Sequence, residues 1–120
     1  MANQFDVHVV TAPVVLTGAT QIPLVHFETG GGGCTVLSAD FINAGTAVGG
    51  LLLTMTDAGT PAISGTIGAF AGTVTESAVI PAALTISDAY VAAGEWIGYD
   101  QTSGTVPAGS FVSIAYIMGK

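Results

Sequence analysis

Ionised side chains are what this 120-residue chain has least of. It carries one cation, Lys120, no Arg and eight acids, so charged residues make up 8% of the sequence and the formal charge is −7. A phosphate backbone is held by clustered Lys and Arg that displace counterions, and one terminal Lys does not supply that, so nucleic acid is excluded as a partner. The same balance argues against an anionic membrane surface. Small free-standing domains are served by surfaces with roughly a quarter to a third charged residues. Half of this chain is hydrophobic, so much of its exterior is expected to be covered by neighbouring molecules.

Other absences narrow the class further. Cys34 is the only cysteine, which rules out an internal disulfide. No run of about twenty apolar residues occurs, so no transmembrane helix is expected. Met1 to Asp6 has no cationic stretch leading into an apolar run, so no secretory signal is read there. Neither a nucleophile elbow nor a Ser, His and acid grouping stands out, and no catalytic residues are assigned.

What the chain has in quantity is Gly, 17 residues, set between short β-prone segments. The pattern is clearest from Leu84 to Met118, which holds the only Trp and all three Tyr. There Ala93-Gly94-Glu95-Trp96 and Ala108-Gly109-Ser110-Phe111 repeat one device: a Gly bend, a polar residue, then an aromatic opening a strand. Ala44, Ala58 and Ala71 open similar Ala-Gly-Thr steps, at intervals too irregular for a solenoid. Strands are expected at Ile22–Glu28, Cys34–Ile42, Leu51–Thr56, Thr85–Val91, Trp96–Asp100 and Ser110–Met118. Two shorter extended stretches complete about eight. In Cys34–Ile42, simple alternation puts Leu37, Ala39 and Phe41 on one face and Val36, Ser38, Asp40 and Ile42 on the other. The last strand is apolar on both faces and is read as central, covered on both sides. Ile63 to Phe70 is ambiguous, because Gly65 and Gly68 interrupt it. A helical turn is conceivable over 77–83, limited by Pro81. Residues 1–20 read as a partly extended N-terminal arm, with Ala2 to Val10 able to pair with a neighbour's sheet edge. The whole predicts an all-β, single-domain β-sandwich of jelly-roll type.

Candidate chemistry is thin. The tetraglycine Gly30 to Gly33 lacks the Lys and Ser/Thr of a phosphate loop and leads into a strand, so it reads as a flexible loop. His8 and His26 make a poor metal site by themselves. Cys34, beside no basic residue, reads as a buried thiol. Asp57, Asp88 and Asp100 lie near loops without a calcium signature. No metal and no cofactor is therefore expected. Tyr90, Trp96 and Tyr99 would make a sugar-stacking platform if exposed together, although packing is the stronger reading for Trp96.

Three stretches carry a family resemblance: Leu84-Thr-Ile-Ser, Val91-Ala-Ala-Gly-Glu-Trp-Ile and Pro107-Ala-Gly-Ser-Phe-Val-Ser-Ile. Together they resemble the small β-sandwich decoration (cement) and head-fibre-base proteins of tailed bacteriophage heads. Cys34 to Ala44 and Leu51 to Thr56 are similar in style to the first core strands of that family. The resemblance implies a jelly-roll-like structural protein of the virion, a homotrimer on the outer capsid surface. There it would bridge neighbouring capsomers of the major capsid protein, without catalytic residues. The interface is expected to draw on Phe5, Val7, Trp96, Phe111 and Tyr116. The alternative is a glycan- or receptor-binding appendage module built on Tyr90, Trp96 and Tyr99.

Overall fold

A computed structural model describes residues 6–16, 21–28, 31–42, 48–70, 82–106 and 108–119. Among them there is no α-helix, and nine strands run in chain order: β1 His8–Pro13, β2 Gln21–His26, β3 Cys34–Ile42, β4 Val48–Met55, β5 Ile63–Phe70, β6 Ala82–Ile86, β7 Tyr90–Val91, β8 Trp96–Gly104 and β9 Phe111–Met118. All pairings are antiparallel. Hydrogen bonds link the strands in the order β1-β9-β3-β6 and then β5-β4-β8-β2. Four strands on each side in that order make the two-sheet jelly roll. The short β7 pairs with β3 beyond the stretch taken by β6.

β6 joins the two sheets. Ala82 and Ala83 pair with Phe41 and Asp40 of β3, while Leu84, Thr85 and Ile86 pair with Phe70, Ala69 and Gly68 of β5. Just beyond, the N–H groups of Ser87 and Asp88 both donate to the Ile67 carbonyl, and Ala89 accepts from Val36. The expected strand over Thr85–Val91 is thus two strands with a switch between them. Ile63–Phe70 is a full strand despite its glycines. Gly68 lies so close to the Thr85 backbone that a Cβ there would collide with it, so this residue marks a close approach of two chains and not a break. The conceivable helical turn falls mostly on residues outside those described, and Ala82 and Ala83 are strand.

Between the sheets, Val36, Ala39 and Phe41 of β3 and Val112 and Ile114 of β9 meet Leu52, Ile67, Ile97 and Tyr99 of the other sheet, all at most 2% exposed. Phe41 stacks on Tyr99 with ring centroids 5.3 Å apart, and Phe70 closes the cluster at 5.8 Å from Phe41. The alternation expected along β3 fails at one point. A bulge between Val36 and Ser38 inserts Leu37, so Val36 joins Ala39 and Phe41 on the core face while Leu37 is 44% exposed.

The two bends singled out in the sequence use Gly as expected: Gly94 has φ 87° and Gly109 φ 88°, a backbone region that L side chains rarely adopt. In the first, Glu95 Oε1 accepts from Ala92 N–H, and Gly94 N–H and Phe27 C=O tie the bend to the end of β2.

The bulge makes a measurable distinction between two residues that simple alternation places on one face. Phe41→Ala should cost about 3–5 kcal/mol, whereas Leu37→Ser should stay within about 0.5 kcal/mol, both read from urea unfolding. Equal losses would show that Leu37 belongs to the core.

Candidate interaction surface

The register of β9 places one face of the first sheet outside. Val9 pairs with Ala115, Thr11 with Ser113 and Pro13 with Phe111 on one side of β9. On the other side Thr35 pairs with Ile117, Ser38 with Ala115, Asp40 with Ser113 and Ile42 with Phe111. Paired residues share a face, and the alternate set, Ala12, Val112, Ile114 and Phe41, is buried. The outer face therefore carries Val9, Leu37, Ile42, Phe111, Ala115 and Ile117, with Asp40 as its one carboxylate. Val9 is 67% exposed and Phe111, Ala115 and Ile117 are half-buried. β9 is paired along both edges as a central strand should be, and its second face is half-buried where the first is fully buried at Val112 and Ile114.

The second sheet covers much of its own outer side. Leu53 and Met55 point away from Leu52 and the core, yet are 1% and 2% exposed. Met55 lies in the notch left by Gly98, where a Cβ would collide with its sulfur. Trp96 pairs with Met55 and with His26, and its ring is tilted against the His26 imidazole at 4.8 Å. His26 Nε2 lies 3.4 Å from Asp57 Oδ2 without hydrogen-bond geometry. Ser64 donates to Glu95 Oε2 and lies 3.0 Å from the Thr54 hydroxyl. Among the described residues no three His, Cys, Asp or Glu side chains come together as a metal site. His8 stacks on Tyr116 at 5.4 Å while His26 lies against Trp96, so the two imidazoles belong to different sheets.

Of the five expected interface residues, the four that are described are not all brought together. Val7, 59% exposed, precedes β1 in line with Val9, and Phe111 lies on the same outer face. Tyr116 is on the inner side, its ring edge-on to Phe27 at 5.3 Å. Trp96 belongs to the other sheet, and Phe5 lies outside the described residues. Sequence reasoning missed Leu37, Ile42 and Val9 as members of the exposed face, because their shared face depends on the β3 bulge and on pairing. The sugar platform is not formed, since Tyr99 is fully buried between Phe41 and Phe70.

A shallow pit of about 250 Å³ lies where Val14, Val15 and Leu16 meet Val106, Ala108 and Gly109. Its lining has no ionisable side chain.

No family model, no curated protein and no solved structure matches the chain. What the chain does is therefore read from its surface and its chemistry.

Two ionisable groups are locked in the interior. Cys34 is fully buried, and burial pushes its thiol up from 9.0 to about 12. Burial first, and the charge of Asp100 second, push the Tyr99 phenol up from 10.0 to about 12. The Tyr99 hydroxyl has no hydrogen-bond partner among the described residues and occupies the space beside Gly50. A buried unpaired hydroxyl costs about 1–3 kcal/mol, so Tyr99→Phe should stabilise the fold at neutral pH by about 1 kcal/mol. Below pH 9 both groups are protonated in folded and unfolded chains alike. Above it the unfolded chain ionises first, so stability should fall as pH rises from about 9 toward 12. Tyr99→Phe should make that fall shallower above about pH 10, leaving the share that Cys34 contributes. Chemical denaturation across this range checks both, and an unchanged alkaline profile in Tyr99→Phe would contradict the assignment.

Proposed function

We propose that this protein is a structural component of a virion. It decorates and stabilises the outer surface of a phage capsid by bridging neighbouring copies of the major capsid protein, and it acts as a homotrimer without catalytic machinery. The observation that carries the reading is the outer face of the β1-β9-β3 sheet, where Val9 and Leu37 are exposed and Ile42, Phe111 and Ile117 are half-buried, on either side of the polar row Thr11, Ser113 and Asp40. Apolar side chains left uncovered on one face mark protein contacts. A standard contact takes about 800 Å² from each partner, and the chain presents 6192 Å² in total, so a trimer and a shell contact fit on one copy together.

The chemistry supports the same role. Eight acids and one cation leave the surface mostly Thr, Ser, Gly and apolar groups, which suits wide contact with protein and not with phosphate. A two-sheet jelly roll is a rigid frame, and weak contacts repeated over a lattice gain strength through avidity. The loose resemblance of the Val91–Ile97 and Pro107–Ile114 stretches to phage head proteins points the same way.

Light scattering at micromolar concentration should return three times the 11.9 kDa chain mass. Co-sedimentation with protein shells stripped from virions that contain the chain should show binding. Ile117→Lys with Phe111→Ser should lower that binding at least about tenfold while leaving thermal unfolding near that of the parent. A stable monomer that ignores the shells would overturn the proposal.

A further inference from the structure

Among the described residues β1 is hydrogen-bonded along one side only. It ends the strand order, and its sole paired neighbour among the described residues is β9. The parity of its backbone follows from one bond: Val14 N–H donates to Ser110 O at 3.0 Å. In an antiparallel ladder the bonded pairs recur every second residue, so His8, Val10 and Ala12 bond to β9. The N–H and C=O of Val9 and Thr11 then point away from the sheet, as do those of Val7 if the strand runs one step further. Pro13 has the same outward parity, the position on an edge strand that tolerates a residue without N–H. The side chains on that parity are exposed, Val9 at 67% and Val7 at 59%.

Proteins blunt such edges with charge, proline or bulges. The other edge, β2, has both Pro23 and a bulge between Pro23 and Val25. β1 has no bulge and no Lys or Glu, and its one proline, Pro13, is its last residue. We propose that the β1 edge is a docking site for the β1 edge of a second copy, antiparallel across a two-fold axis at Val9, so that two jelly rolls share one continuous sheet. In that register Val9 faces Val9, and Val7 of each copy faces Thr11 of the other. All three carry their free backbone groups toward the new neighbour. Asp6 falls opposite Ala12 and not opposite the second Asp6, so the register sets no like charges against each other. Pro13 ends the ladder.

The contact is small. A six-residue edge is about 20 Å long and covers roughly 300 Å² per copy, against about 800 Å² per partner in a stable free-standing complex. The pairing is therefore reversible, and it operates where copies are already held close together. It uses backbone geometry alone and stands apart from the capsid reading.

Sedimentation equilibrium from about 10 μM to about 1 mM tests it, since a contact this weak sits near the millimolar end of the affinity scale. The average mass of the native chain should rise with concentration above its dilute-state value. Thr11→Pro, which deletes an outward N–H, and Thr11→Lys, which places charge on the edge, should each weaken that rise at least about tenfold. Both should leave the dilute-state mass and the melting temperature near the parent's, and if Thr11→Pro does not fold, Thr11→Lys decides. No rise in the native chain, or a rise untouched by Thr11→Lys, overturns the proposal. So does a result in which the variants self-associate normally but lose shell binding, because the edge would then take a strand of another protein. Shell binding measured separately keeps the capsid reading distinguishable from this one.

Discussion

The register of β9 between β1 and β3 is the constraint from which the rest of the surface follows. It sets Val112 and Ile114 into the core and leaves Phe111, Ala115 and Ile117 outside. It also decides which residues of β1 spend their hydrogen bonds on the sheet and which hold them toward a newcomer. A slip of one residue would exchange the two faces, placing Ser113 in the interior and Ile114 in water. The β3 bulge is part of the same constraint, since by inserting Leu37 it lets Val36 and Phe41 both meet the core.

The two sheets solve the problem of an apolar chain in different ways. The second sheet covers its own outer side, with Met55 laid over Gly98 and Trp96 tilted on His26. Glycine there works by leaving out a Cβ, as Gly50 does for the Tyr99 ring on the core side. The described strands of the first sheet have no comparable notch, and its outer apolar side chains are exposed or half-buried. That asymmetry, more than the overall hydrophobic content, is what sets one face of the molecule apart from the other.

Much of the fold was legible in the sequence for a plain physical reason. Cys34–Ile42 and the last strand are long and rich in β-prone residues, and the Gly94 and Gly109 bends announce where strands begin. The bounds of β3 match the reading residue for residue. Less was legible where a feature depends on a partner strand. The bulge at Leu37 requires β9, the closeness of Gly68 requires Thr85, and the division of β6 from β7 requires two sheets to share one segment. Of the candidate interface, Val7 and Phe111 do fall on the outer face, Val7 exposed and Phe111 half-buried at the start of β9. Tyr116 and Trp96 were not separable from them, because residue type does not reveal which face a side chain takes. Val9, Leu37 and Ile42 became visible as one surface only with the pairing known. Within the segment read as an N-terminal arm, His8–Pro13 is built into the sheet.

Amide hydrogen exchange, resolved residue by residue on dilute protein, tests the one-sided bonding of β1 most directly. The N–H groups of Val10 and Ala12 should be protected as members of the ladder, while those of Val9 and Thr11 should exchange freely. Protection of Val9 and Thr11 together with free exchange at Val10 and Ala12 would contradict the register, and with it both the exposed face and the open edge.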